Sequence, residues 1–121
     1  MNHFDFIKQK RDEYRKLKPI YSYSLKEWIF FNADGFNHLL FRGNREHRNI
    51  KEQIFKLSLL LFVHTIIKNS KKAIERRTHP LGKDIEYVAI DGYKNNKHIK
   101  VVLKRKGKNG KLFFWSVMRI K

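Results

Sequence analysis

Two long stretches of the chain carry hydrophobic residues at helical spacing. In the first, apolar positions separated by lysine and arginine predict a helix over residues 3–18, which Pro19 ends because proline lacks an amide hydrogen. In the second, residues 46–69, the apolar positions widen until they nearly surround the helix, which indicates burial. Its most apolar part, 57–67, has about half the length that a bilayer-spanning helix needs.

Shorter elements are expected between and after these helices. Residues 27–31 form a β-prone apolar run. Asp34 is expected to cap a helical turn over residues 36–41, since its side chain can accept from free amides of a first turn. Residues 70–83 are basic and contain proline and glycine, so they are predicted to be an irregular loop.

The last third of the chain is rich in β-branched and aromatic residues. These residues predict three strands, at 85–91, 98–105 and 112–120. Asn95-Asn96 and Lys108-Asn109-Gly110 separate them and suit hairpin turns, because asparagine and glycine tolerate positive φ. The order helix, strand, helix and three-stranded meander is typical of an α+β fold, with helices packed on one face of a small antiparallel sheet.

The alternation of side chains along a strand assigns residues to the two faces of this sheet. The face expected to lie on the helices holds Val88, Ile90, Ile99, Val101, Leu103, Leu112, Phe114, Met118 and Ile120. The other face holds Tyr87, Ala89, Lys100, Val102, Lys104, Phe113, Trp115, Val117 and Arg119. Aromatic rings interleaved with cations suit unpaired nucleotides, because bases stack on rings while cations meet phosphates. Alternatively, the N-terminal helix or a partner covers Phe113 and Trp115.

The charge of the chain strengthens the case for an anionic partner. The 121 residues include 28 Lys and Arg against 11 Asp and Glu, a formal net charge of +17. Residues 61–121 hold 16 basic and 4 acidic side chains, and no acid follows Asp91. Nucleic acid is favoured over an anionic membrane, because phosphates bind clustered cations with release of counterions. A lysine-rich solvated surface is the other interpretation.

Composition also excludes several chemistries. The absence of cysteine excludes disulfides, cysteine-bound metals and thiol catalysis. No phosphate-binding glycine loop and no carboxylate cluster is visible, which argues against nucleotide hydrolysis and two-metal nuclease chemistry. No secretory signal is visible in residues 1–25, so a single domain acting in the cytoplasm, without a metal or cofactor, is expected.

The segment from His38 to Arg48 is the densest in reactive groups, with two histidines and three arginines in eleven residues. Metal-independent RNA cleavage needs a base for the 2′-hydroxyl, an acid for the leaving oxygen and cations for the phosphate. Histidine titrates near neutral pH, and arginine binds two phosphate oxygens at once. His38 is therefore either a catalytic residue or a structural one, and His47 is expected at the exposed start of a helix.

The Phe36-x-His38-Leu39 sequence after the first strand and the closing strand Leu112–Val117 resemble the barnase–EndoU–colicin–RelE nuclease superfamily. The nearest branch is its phage-associated subgroup of small RNA-cleaving toxin domains. The resemblance covers about residues 25–121. It implies an antiparallel sheet with helices on one side, metal-independent RNA cleavage and a catalytic histidine near the start of the domain. It also implies a hydroxyl-bearing position on the last strand, here Ser116.

Ser116 presents a conflict, because strict alternation places it on the helix side of the sheet, whereas Lys104 and Tyr87 point away from the helices. Three arrangements remain open. A β-bulge shifts the last strand, or the site lies at the sheet edge beside the His38 segment, or Ser116 is structural.

The favoured hypothesis is a ribonuclease, possibly a toxin in function, that cleaves tRNA or mRNA and leaves a cyclic phosphate. His38 is the expected base or acid, Arg42 with Lys104 or Arg45 stabilises the phosphate, and Tyr87 and Ser116 orient the substrate. The residues expected to bind RNA are Arg45, His47, Arg48, Lys100, Phe113, Trp115 and Arg119. The alternatives are a nucleic-acid-binding module without chemistry and an interaction domain for an acidic partner. An antitoxin or immunity protein fits the ribonuclease as well as the interaction domain.

Overall fold

The computed structural model describes residues 2–41, 46–78 and 84–120. In these ranges three helices and one six-stranded mixed sheet form an α+β fold. The elements are α1 (His3–Arg15), β1 (Ile20–Ser22), β2 (Glu27–Phe30), α2 (Ala33–Leu40), α3 (Ile50–Asn69), β3 (Glu75–Thr78), β4 (Ile85–Lys94), β5 (Lys97–Lys106) and β6 (Leu112–Ile120). No helix in the described ranges is long and apolar enough to cross a bilayer.

The sheet is larger than the predicted meander, and it is not wholly antiparallel. Its strand order is β1-β2-β6-β5-β4-β3, in which β2 runs parallel to β6 and the other neighbours are antiparallel. The edge strands β1 and β3 lack the alternation that identifies a half-buried strand. All four residues of β3, Glu-Arg-Arg-Thr, are exposed, so pairing with β4 defines this strand rather than burial.

The helices begin at asparagine residues. The side chain of Asn32 accepts a hydrogen bond from the amide of Gly35, so Asn32 caps α2, and Asp34 lies in its first turn. Asn49 caps α3 in the same way, through the amide of Glu52. The expectation that Asp34 caps α2 is therefore wrong by two positions, because the helix begins earlier and leaves different amides free.

One continuous apolar core joins the helices to one face of the sheet. From α3 it includes Leu57, Leu59, Leu60, Phe62, Val63, Ile66 and Ile67, and from the long strands it includes Val88, Ile90, Ile99, Val101, Leu103, Leu112, Phe114 and Val117. α2 approaches the backbone of β6 closely, since a Cβ on Gly35 would lie 2.1 Å from the carbonyl oxygen of Phe114. A glycine at this position therefore sets the distance between α2 and β6.

A β-bulge at Trp115 reverses the faces of the residues that follow it. Val102 is paired with Ser116 and Leu103 with Phe114, which leaves Trp115 without a partner on β5. An extra residue on one strand shifts the alternation by one. The prediction that Val117 lies on the open face is therefore wrong, and Ser116 lies on the face of Val102.

The predicted positions of Met118, Ile120 and Arg119 are wrong for the same reason. Met118 is paired with Lys100, and Ile120 with His98, on the face that does not carry the core. Arg119 is paired with the core residue Ile99 and is exposed near the end of the strand.

Candidate nucleic-acid-processing site

His38 lies in the last turn of α2, at the edge of β6 that β2 leaves uncovered. β2 pairs with β6 only at Leu112 and Phe113, and α2 then follows β2 along the remaining edge. The imidazole of His38 stacks on the indole of Trp115, with ring centroids 4.1 Å apart and planes inclined by 19°. Of the arrangements considered for Ser116, the bulge in the last strand is present, and the His38 segment meets the sheet at its edge.

Lys104 lies on the neighbouring strand and contacts the same indole. Its Nζ is 3.8 Å from the centroid of Trp115 and 5.6 Å from that of Tyr87. The imidazole and the ammonium therefore both lie within contact distance of the same indole. In the described part of the chain no carboxylate is paired with the Lys104 ammonium, which is buried by its neighbours.

Two further cations approach the same site, Arg48 from the segment just before α3 and Lys56 from α3 itself. Nε of Arg48 donates to the carbonyl oxygen of His38 at 3.1 Å, and its guanidinium also pairs with Glu52. Nζ of Lys56 donates to the carbonyl oxygen of Val117 at 3.2 Å. Arg48 was expected to contact RNA. Lys56 was not expected at the site, although a lysine directly before the most apolar part of a helix was a signal that could have singled it out.

Burial and these cations control the protonation of His38. Burial and, to a smaller extent, repulsion of the imidazolium by Arg48, Lys56 and Lys104 together lower the pKa of His38 to about 4. The pKa values of Lys56 and Lys104 are also lowered, mainly by burial. The imidazole is therefore neutral at pH 7 and can accept a proton, in surroundings that favour an added negative charge.

Ser116 and Tyr87 share the face of Lys104, as a substrate-orienting role requires. Tyr87 is the register partner of Lys104, and Ser116 that of Val102. Ser116 is nearly fully buried, whereas Tyr87 is half-buried. The guanidinium of Arg77 lies 4.7 Å from the ring centroid of Tyr87. Of the two, Tyr87 is the more accessible to a ligand.

Phe113 and Trp115 do not offer the free ring faces expected for base stacking. Phe113 is 7% exposed, and its ring meets Trp115 edge-on at 6.2 Å. The indole of Trp115 is in contact with the side chains of His38 and Lys104. These contacts leave less of its ring surface for a base.

Other predicted residues lie elsewhere or outside the described ranges. Arg42 and Arg45 belong to the part of the chain that the structure does not describe. The ring of His47 lies 4.4 Å from that of Phe41. Lys100 shares the face of Lys104 but is paired with a carboxylate of β3, 3.2 Å away.

No group of three or more carboxylate or imidazole side chains that could hold a metal ion is found among the described residues. Comparison with protein-family models, curated proteins and solved structures found no match for this chain. The resemblance to the nuclease superfamily therefore stays a prediction, and function has to be inferred from the geometry of this site.

Proposed function

We propose that the protein is a metal-independent ribonuclease whose site consists of His38, Lys104, Arg48 and Lys56 around Trp115. The observation that carries this proposal is the contact of one indole with both a neutral imidazole and an ammonium group. The imidazole can serve as a proton acceptor and the ammonium as a proton donor, and both pack against Trp115.

In the proposed reaction His38 removes the proton from a 2′-hydroxyl, and the 2′-oxygen attacks the adjacent phosphorus. The bond from phosphorus to the 5′-oxygen breaks, which gives a 2′,3′-cyclic phosphate and a free 5′-hydroxyl. The leaving oxygen takes its proton from Lys104. The lowered pKa of this lysine makes its ammonium a better acid than an ordinary lysine. Exchange with water then returns both groups to their starting states.

The remaining cations stabilise the charge that gathers on the phosphate. Arg48 and Lys56 lie close enough to lower the pKa of His38, so they also act on an anion bound beside it. A bound phosphate would offset their repulsion of the imidazolium and raise the pKa of His38. The substrate thereby makes the imidazole a stronger base. Because the proposed substrates, tRNA and mRNA, are cytoplasmic, we place the activity in the cytoplasm.

Incubation of total RNA with the protein in EDTA tests this proposal. Wild type is expected to cleave RNA and leave cyclic phosphate ends, and His38→Ala is expected to lose about 10²–10⁴-fold in rate. The matched control is His98→Ala, a histidine at the far hairpin that is paired with Asp91. Equal RNA integrity with wild type and His38→Ala would refute the catalytic proposal.

A second candidate is an RNA-binding module without chemistry. It is favoured by the tight packing of His38 against Trp115, which alone would explain the presence of the imidazole. This function predicts binding that weakens steeply with salt and no cleavage that depends on His38.

A further inference from the structure

A group of exposed aromatic rings lies at the opposite end of the sheet from β3. Tyr21 and Trp28 are register partners on β1 and β2, and their ring centroids are 5.6 Å apart. Trp28 is 55% exposed, and Tyr23, next to Tyr21, is 71% exposed. Because Ile29 is fully buried in the core, Trp28 and Phe30 point to the other face, which also carries Lys104.

An open cleft of about 580 Å³ adjoins these rings. Its lining includes Trp28, Phe30, Arg105, Lys108, Asn109 and Lys111.

The charge of the cleft suits a phosphate. Its carboxylate, Glu27, is held by two hydrogen bonds from Arg105, of 2.8 and 2.6 Å. Nζ of Lys111 lies 4.7 Å from the ring centroid of Phe30. Within the described residues neither Lys111 nor Lys108 is paired with a carboxylate, so both ammonium groups remain available to an anion.

The cleft and the His38 site lie along one face of the sheet. Trp28 is two residues before Phe30, about 7 Å along β2. Phe30 is the register partner of Phe113, whose ring lies 6.2 Å from that of Trp115. The rings of Trp28 and Trp115 are therefore separated by a path on the order of 18 Å, which roughly five stacked nucleotides would span at about 3.4 Å each.

We propose that Tyr21, Trp28, Lys108 and Lys111 form a second subsite, which binds an unpaired nucleotide of single-stranded RNA several positions from the reacting phosphate. This inference rests on the ribonuclease function proposed above. The base stacks on the indole, beside the phenol ring that stands at a steep angle to it, and the two lysines bind its phosphate. A duplex does not fit this arrangement, because its bases are already stacked on each other.

Binding of non-cleavable 2′-O-methyl RNA tests the subsite. The full chain is titrated with a labelled dinucleotide and with an oligonucleotide of about ten nucleotides, long enough for both sites. Wild type is expected to prefer the longer strand. Trp28→Ala combined with Lys111→Gln is expected to reduce that preference by about tenfold. Lys108→Gln combined with Lys111→Gln, which leaves the rings intact, is expected to reduce it as well.

The matched control is Phe4→Ala combined with Lys8→Gln, an exposed ring and lysine one turn apart on α1. Circular dichroism confirms that each variant is folded. An unchanged preference for the long strand in both subsite variants would overturn the inference. So would equal binding of a duplex of the same length by wild type, or no binding of any RNA.

The two proposals fail separately. If RNA cleavage is independent of His38 but the length preference still depends on Trp28, the ribonuclease proposal falls and the subsite stands as a binding site. If cleavage requires His38 but the preference for the long strand does not depend on Trp28, the subsite proposal is refuted and the ribonuclease proposal stands.

Discussion

The imidazole of His38 lies 4.1 Å from the indole of Trp115, nearly parallel to it, although 77 positions of sequence separate the two residues. The bulge at Trp115 leaves this residue without a partner on β5 and frees its side chain to meet α2. This contact joins the helix that carries His38 to the strand that lies beside Lys104.

Replacing Trp115 with alanine is expected to raise the pKa of His38 from about 4 toward its ordinary value of 6.5. The physical reason is that loss of the indole exposes the imidazole to water, and burial is the main cause of the lowered pKa. NMR titration of the imidazole C–H signals measures the change. Trp28→Ala is the control and should leave this pKa unchanged. A His38 pKa that stays near 4 in Trp115→Ala would mean that the cations, and not the ring, control it.

The rate constant kcat/KM is expected to rise as the pH increases through about 4 and then to level off toward neutrality. The base must be unprotonated, and its fraction in that form grows as the pH passes the pKa of His38 in the free enzyme. Lys56→Met removes one repelling charge, so it should raise this pKa and shift the acid limb to higher pH. Lys51→Met, at an exposed position on the first turn of α3, should leave the limb in place. If the acid limb of the pH profile lies at the same pH in Lys56→Met as in wild type, the charge of Lys56 does not affect the pKa of His38.

Gly35→Ala is expected to destabilise the fold by about 1–3 kcal/mol. The added methyl group would lie 2.1 Å from the carbonyl oxygen of Phe114, so α2 would have to move away from β6. Urea denaturation measures the loss in the free energy of unfolding. Asn37→Ala, an exposed change on the same helix, serves as the control. A Gly35→Ala variant as stable as Asn37→Ala would show that α2 is free to shift.

Glu27 is expected to make the stability of the protein depend on acid pH. The hydrogen bonds from Arg105 lower the pKa of Glu27 below its ordinary value of 4.5. The contribution of ionised Glu27 to the free energy of unfolding is therefore fully present above pH 4.5 and is lost as the pH falls through the lowered pKa.

Urea midpoints at neutral and acid pH should show that Glu27→Gln costs about 1 kcal/mol at neutral pH, a value kept small because the pair is partly exposed. The cost should shrink at acid pH. Glu13→Gln, in an exposed ion pair on α1, should have little effect at either pH. An equal cost of Glu27→Gln at both pH values would contradict a role for its charge.

Local patterns in the sequence were sufficient for the elements that bury a regular apolar face. The helices α1 and α3 and the strands β4, β5 and β6 all lie within a few residues of their predicted bounds. The turn at Asn95-Asn96 has positive φ at both residues, as expected. β1 and β3 were missed because they are short edge strands, whose pairing partner and not their own composition defines them.

The candidate site was only partly predictable. His38, Arg48, Lys104, Tyr87 and Ser116 were singled out from the sequence, and the structure places them around or beside Trp115. Phe113 and Trp115 were assigned to base stacking, but their rings are covered by the protein itself. The more exposed Tyr23 and Trp28 were not considered, because they lie on a hairpin that local patterns did not reveal.

The sequence by itself determined the α+β class, the basic charge and the residue types available for chemistry, because composition and periodicity are properties of the chain. Tertiary structure decided which face Ser116 occupies and that Lys56 joins His38. Side-chain alternation can be followed only while strand pairing is continuous, and the extra residue at Trp115 interrupts it. Whether a strand accommodates that residue depends on contacts with α2, and no local pattern contains those contacts.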